Sequence, residues 1–137
     1  MRLFTLLQTA FTKIGTLMTR YNDTADYIVE IGTTDIWTYE KWNSGRLKCW
    51  GASTASGLAI TKTSGYGYYY DNWTVSFPSG LFKTVSYAQL GSFGSTGLVT
   101  PSGSDYSAST ISARIWGSTS LPSWNGTITI YAVGTWK

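Results

Sequence analysis

The chain contains no histidine and only one cysteine among its 137 residues. Without histidine, a single chain can form neither a Ser-His-Asp or Cys-His catalytic group nor a histidine-ligated zinc site. The lone Cys49 has no partner for a disulfide within the chain. Because Cys49 falls on the apolar side of a predicted strand, we expect it to be a small buried hydrophobic side chain.

Charged residues are also scarce, at 12% of the chain, and the net formal charge is +3. The ten basic residues are scattered, which gives no indication of a nucleic-acid surface. Seven carboxylates remain for acid–base chemistry, and none lies in an apolar setting that would raise its pKa. Metal-ligand spacings and glycine-rich phosphate loops are missing. We therefore expect a protein that is not an enzyme, uses no cofactor or metal and binds no nucleic acid.

Aromatic and small residues dominate instead, with 16% Phe, Trp and Tyr and 15 glycines. This composition favours strands and turns over helices. After residue 24, apolar and polar residues alternate in runs about ten residues apart, which predicts about seven or eight antiparallel strands. The chain is therefore predicted to be mainly β, with an antiparallel β-sandwich or jelly-roll head over residues 25–137. Residues 52–57 and 117–125 are predicted to be loops, and residues 101–105 a turn.

Residues 1–24 differ from the rest because their apolar residues follow a helical heptad. The seam steps alternately by four and three residues through Leu3, Leu7, Ala10, Ile14, Leu17 and Tyr21. Phe4, Phe11 and Met18 widen this stripe, which suits three or more helices better than two. A lone helix of this length is marginal in water. We expect a short α-helical coiled-coil neck that assembles a homotrimer.

Two other interpretations of this segment stay open. Arg2 followed by an apolar run resembles a signal peptide, although the run is short and broken by polar residues. Alternatively, an amphipathic helix packs on its own β domain. Length and polarity exclude a membrane-spanning helix, so we expect no membrane insertion.

Residues 36–51 are predicted to form a β-hairpin. Trp37, Tyr39 and Lys41 alternate with a mixed set of apolar and polar neighbours, and residues 43–45 read Asn-Ser-Gly. Such a three-residue loop suits a type I turn that ends on a glycine with positive φ, here Gly45. This hairpin would join the neck to the head.

Several segments resemble the C-terminal heads of receptor-binding proteins from tails and baseplates of phages and prophages of Gram-positive hosts. The resemblance is carried by residues 26–32, 37–45, 49–51, 74–78 with Phe82, and 130–137. It implies a homotrimeric virion protein at the phage tail tip, with a short neck and a β-sandwich head that touches the host surface and other tail or baseplate proteins. Receptor sites vary within this group, so the resemblance assigns no binding residues.

Saccharide recognition needs aromatic faces for the sugar ring and polar groups for its hydroxyls. Two stretches supply both, and they give the candidate ligand-binding residues Tyr69, Asp71, Asn72, Trp73, Trp124 and Asn125. The alternative for the tyrosine stretch is a set of core or subunit-interface aromatics, and for Trp124 a loop residue folded onto the domain edge. The sequence thus favours a non-catalytic host-adhesion protein that binds cell-surface saccharide. A structural tail subunit without a ligand site and a carbohydrate-binding module of a secreted hydrolase remain as alternatives.

Overall fold

A computed structural model describes residues 2–24, 26–94 and 97–137, without the side chains of residues 21–24 and 104. The side chain of Tyr21, one of the predicted seam residues, therefore lies outside the description. The described residues form one helix and nine strands. Their bounds are α1 Arg2–Thr24, β1 Ile28–Thr34, β2 Trp37–Trp42, β3 Arg46–Ile60, β4 Lys62–Ser64, β5 Gly67–Ser76, β6 Thr84–Gly94, β7 Val99–Tyr106, β8 Thr110–Gly117 and β9 Leu121–Thr135.

Helix α1 confirms the predicted N-terminal helix, and its apolar side chains lie in solvent. Leu3 is 71% exposed and Ile14 51% exposed. The opposite face carries threonines, four of which donate their hydroxyls to the carbonyl four residues earlier: Thr9, Thr12, Thr16 and Thr19. The hydrogen bonds of these hydroxyls are made within the helix, so the threonine face can remain in contact with water. The apolar seam on the other face is exposed to solvent. Among the described residues, no helix combines the length and hydropathy needed to cross a bilayer.

The strands form two antiparallel sheets. Sheet A has five strands in the order β1-β2-β3-β9-β6, and sheet B has four in the order β4-β5-β8-β7. Strand β3 pairs with β9 along nearly its whole length, from Arg46 opposite Thr135 to Ile60 opposite Leu121. This pair of long strands forms the centre of sheet A.

Both sheets turn one face into a single hydrophobic core. Every second residue of β8 is fully or almost fully buried, at Ile111, Ala113 and Ile115. Sheet A contributes its own alternating set from β3 and β9, which consists of Leu47, Cys49, Ile128, Ile130 and Ala132. The period-two alternation predicted for these strands is therefore confirmed, and it fixes which residues lie on the two outer faces.

The predicted hairpin is present, and its turn holds the segment that leads from the helix. Gly45 has φ of 94°, as the three-residue loop requires. The Asn43 N–H donates to the carbonyl of Tyr27 over 2.8 Å. Asp26 accepts from the Ser44 N–H at 3.2 Å and lies 3.4 Å from the Arg46 guanidinium. The turn thus ties the start of β1 to the head.

Two of the predicted loops and turns are wrong and a third is right only in part, because most of these residues lie in strands. Residues 52–57 lie inside β3 and residues 101–105 lie in β7. Of the predicted loop 117–125, only residues 118–120 lie between strands, since Gly117 ends β8 and residues 121–125 begin β9. Small and hydroxyl-bearing residues pair here with neighbouring strands. The strand register shifts at Gly57 and between Ser102 and Asp105, and these β-bulges accommodate the turn-prone residues within the strands. Pro101 is tolerated because β7 is an edge strand.

Cys49 gives a first prediction. Its side chain is fully buried, and burial raises the pKa of its thiol to about 12. A neutral, inaccessible thiol is a poor nucleophile. We expect iodoacetamide at neutral pH to leave the native protein unmodified and to alkylate Cys49 fully in denaturant, as read by mass spectrometry. Fast alkylation of the native protein would show that the β3 core face opens in solution.

Candidate ligand-binding site

The candidate site lies on the outer face of sheet B. Because Ile111, Ala113 and Ile115 point into the core, the residues between them, such as Arg114, and Trp116 beyond them point outward. Register places polar and aromatic neighbours beside them on β4, β5 and β7. We call this surface the Trp116 face, and it consists of Lys62, Tyr69, Asp71, Ser102, Arg114 and Trp116.

A β-bulge brings Asp71 to this face. Tyr70 pairs with Ile115 and Trp73 with Ala113, so two residues of β5 stand opposite Arg114 alone. The second of them, Asn72, has φ of 64°. Asparagine is one of the few residues other than glycine that adopts this left-handed conformation readily. The bulge therefore sets the Asp71 carboxylate beside the Arg114 guanidinium.

Asp71 joins two cations into one cluster. The Arg114 Nε donates to its Oδ1 over 3.1 Å, and the Lys62 Nζ donates to its Oδ2 over 3.4 Å. The hydrogen bond from Arg114 is the main cause that holds the pKa of Asp71 below its ordinary 3.8, and Lys62 adds to it. The side chains of Arg114 and Lys62 are 55% and 59% exposed. Ion pairs this exposed add little to stability, so their effect here is to orient charged groups on an accessible surface.

Aromatic rings continue the face along β5 and β8. The Tyr69 and Trp116 rings lie 5.0 Å apart between centroids and are tilted by 38°. The Arg114 guanidinium lies 5.2 Å from the centre of the Tyr69 ring. At the β4–β5 turn, Tyr66 is 95% exposed and borders a depression that Trp116 also lines. Rings and hydrogen-bonding groups thus lie side by side.

Two shallow depressions lie on this face. One, of about 410 Å³, is lined by polar residues that include Asp71, Asn72, Asp105 and Arg114. The other, of about 330 Å³, is lined by Tyr66, Thr100, Ser102 and Trp116. Trp116 and Ser102 border both. Within the described part of the chain, no group of three or more Cys, Asp or Glu is placed to hold a metal ion.

The charge cluster gives a second prediction. Arg114→Ala removes the main cause of the lowered pKa of Asp71, so that pKa should rise toward 3.8, whereas Lys62→Ala should raise it less. A carboxyl NMR titration of the two variants measures this. A group whose pKa is lowered by folding stabilises the folded state fully above its unfolded pKa, here about 3.9, and this stabilisation is lost as the pH falls through the folded pKa. The charge cluster therefore contributes nothing to the pH dependence of stability near neutrality. Equal shifts in both variants would contradict the assigned order.

The structure brings three of the six predicted ligand residues together and separates the others. Tyr69 and Asp71 lie on the Trp116 face, and Asn72 lines its polar depression. Trp73 and Trp124 are 8% and 1% exposed and belong to the core. Neither ring presents a face to solvent, so the prediction that these two rings bind a sugar finds no support in this fold.

Trp124 is buried because glycines make room for it. A side-chain carbon on Gly94 or on Gly126 would collide with the indole of Trp124. Its neighbour Asn125 accepts the Gly57 N–H over 2.9 Å and thereby holds the irregular part of β3. Asn125 thus has a local structural contact in sheet A and lies outside the candidate site.

Five residues on or beside the Trp116 face were not among the predicted ligand residues: Lys62, Tyr66, Ser102, Arg114 and Trp116. A signal for two of them was present in the sequence, because Ile111, Ala113 and Ile115 alternate along one face of a strand, which leaves Arg114 and Trp116 on the other face. Lys62 and Tyr66 carried no such signal, since their position depends on the β4–β5 hairpin.

The outer face of sheet A is the main competing surface. It exposes apolar side chains at Ile31, Tyr87, Phe93 and Tyr131, with Phe93 79% exposed. Threonines surround them on β9, and the charged residues Glu40, Lys48 and Arg46 lie at one end of this face, where Lys48 and Arg46 lie over the Trp42 ring. These charged groups are therefore far along the strands from the exposed Phe93 ring at the other end.

The fold is similar to a solved structure of the Pseudomonas aeruginosa R1 pyocin fiber that comprises its C-terminal residues 323–701. The TM-score is 0.58 at 16% sequence identity, and the likeness covers 77% of this chain and 28% of that chain. At this identity the likeness shows a shared fold. It gives no support for a Gram-positive host. No protein-family model and no curated protein sequence matches the chain.

Proposed function

We propose that the chain is a tail-fibre receptor-binding protein that attaches a virion to cell-surface saccharide without catalysis. The Trp116 face is the observation that carries this proposal. It combines aromatic rings with carboxylate, guanidinium, ammonium and hydroxyl groups on an open surface, which is the chemistry that a sugar requires. The likeness to a fiber structure supports a position at the phage tail tip.

Sheet B is the better candidate because its polar groups are held in place. The Asp71 carboxylate fixes Arg114 and Lys62 through one hydrogen bond each. Most of the donors of both cations have no other partner among the described residues, so they remain available to sugar hydroxyls. Groups that are oriented before binding lose less entropy when a ligand arrives.

We further propose that the two sheets form a sandwich head on a homotrimeric helical neck. The shared core supports the sandwich, and the uncovered apolar seam of α1 supports the trimer. Leu7 and Ile14 are 47% and 51% exposed in the isolated chain, so the helix would gain stability by packing this seam against other helices. Three linked heads would turn weak saccharide sites into useful avidity.

The alternatives predict different surfaces. A structural tail subunit would use the apolar outer face of sheet A for contacts with other tail or baseplate proteins. A carbohydrate-binding module of a hydrolase would need no self-assembling neck. The exposed apolar seam of α1 disfavours the carbohydrate-binding module, and the polar Trp116 face disfavours the purely structural subunit.

A glycan array and intact host cells test the proposal with two matched variants. Trp116→Ala should weaken binding by at least about 10-fold, since hot-spot aromatics contribute about 2 kcal/mol or more. Phe93→Ala removes an exposed ring from the other sheet and should bind like the unaltered chain. Loss of binding by Phe93→Ala alone would move the site to sheet A. A folded chain that binds neither glycans nor cells would overturn the receptor role.

A further inference from the structure

The two depressions of the Trp116 face differ in chemistry and lie in line. The polar depression includes Ser112 and Arg114, and the aromatic one lies beyond Trp116 beside Tyr66. Along β8, Ser112 and Trp116 are separated by about 13 Å at ~3.3 Å per residue. The two depressions together therefore extend farther along β8 than a single sugar ring does.

Resting on the saccharide-binding role proposed above, we infer that the face has two subsites divided by Trp116 and that its ligand is a linear oligosaccharide. The polar subsite holds one sugar residue through Asp71, Asn72 and Arg114. The aromatic subsite holds the next residue of the chain against Tyr66 and Trp116. The ligand runs along β8, parallel to the strand.

Tyr66 is the observation that requires the second subsite. Its ring is 95% exposed at the tip of a turn flanked by Gly65 and Gly67, and among the described residues its side chain has no hydrogen-bond or ring partner. Its backbone N–H donates to the Ser64 hydroxyl oxygen over 3.3 Å, which stabilises the turn. The Trp116 ring, which lines both depressions, already packs on Tyr69. A second ring on the far side of Trp116 extends the platform beyond the reach of one sugar.

Three properties of Tyr66 make it a clean test position. It is almost fully exposed, so Tyr66→Ala removes no core contact. It belongs to the aromatic depression alone, whereas Asn72 belongs to the polar one alone. Neither side chain takes part in the Asp71 charge cluster. The two subsites are therefore separable by single substitutions.

The experiment measures affinity in solution by calorimetry, so that avidity does not contribute. The probes are the monosaccharide and the linear di-, tri- and tetrasaccharides of the sugar that binds best on an array of bacterial surface glycans. The unaltered chain should bind the oligomers at least about 10-fold more tightly than the monosaccharide. Tyr66→Ala should remove this gain, so that the oligomers bind no more tightly than the monosaccharide, and Asn72→Gly should weaken binding of the monosaccharide and of the oligomers.

Equal affinity for the monosaccharide and its oligomers overturns the two-subsite inference while the saccharide-binding role stands. The same holds if Tyr66→Ala weakens all probes equally or leaves the oligomer gain intact. If no glycan and no host cell binds, the proposed function fails and this inference fails with it. Circular dichroism of each variant confirms that the fold is kept.

Discussion

Trp124→Ala should lower the free energy of unfolding by about 3–5 kcal/mol, the usual cost of truncating a large buried aromatic. Trp124 is 1% exposed, and its indole fills the space left by Gly94 and Gly126. Gly94 and Gly126 themselves have no side chains with which to fill the resulting cavity. The melting temperature should fall by roughly 10–20 °C for a domain of this size, as measured by calorimetry.

Trp116→Ala is the matched control for this loss. The same substitution on the outer face of sheet B removes a half-buried ring and should cost about 1 kcal/mol or less. The two variants therefore separate stability from binding. Trp124→Ala should lower the stability of the fold, and Trp116→Ala should weaken ligand binding. If Trp124→Ala kept its melting temperature, the packing of β9 described above would be wrong.

Ile14→Lys should convert a trimer into a monomer, whereas Thr16→Lys should leave the trimer intact. Ile14 lies on the apolar seam, and Thr16 lies on the threonine stripe with its hydroxyl bonded to the Thr12 carbonyl. A lysine on the seam would bring three like charges together in an apolar interface. Light scattering measures the mass, which should be three times the 15.0 kDa of one chain for the unaltered protein and for Thr16→Lys.

Loss of the trimer should also weaken attachment to cells. Joining several sites raises overall affinity by about 10²–10⁴-fold without new contacts. We expect Ile14→Lys to bind a soluble saccharide normally and intact cells far less well. If the unaltered chain were monomeric at all concentrations, the helix would not assemble a trimer. If both lysine variants had the same mass, the seam through Ile14 would not be the interface between helices.

Much of the architecture could be predicted from periodicity. The heptad that includes Leu3 and Ile14 predicted the helix. The alternation of Ile111, Ala113 and Ile115 predicted which residues of β8 share a face. Gly45 gave the hairpin turn. These signals are local, because a side chain's direction in a helix or strand depends mainly on its neighbours in sequence.

The remaining features depend on contacts between distant residues. Residues 52–57 look like a loop because they are small, yet they pair with β9. Trp124 looks like a binding residue until the glycines that accommodate it are placed beside it. Asp71 meets Arg114 only because a bulge at Asn72 adds a residue to β5. Sequence reasoning could name Asp71 as a candidate, but its partners and the surface they share depend on the register between strands.

A crystal structure of the chain with the oligosaccharide selected by the glycan array tests most directly whether saccharide binds on the Trp116 face. We expect sugar rings against Trp116, with one residue at Asp71 and Arg114 and the next beside Tyr66. Sugar bound on the outer face of sheet A, or at any site that leaves Trp116 untouched, would show that the binding site lies elsewhere.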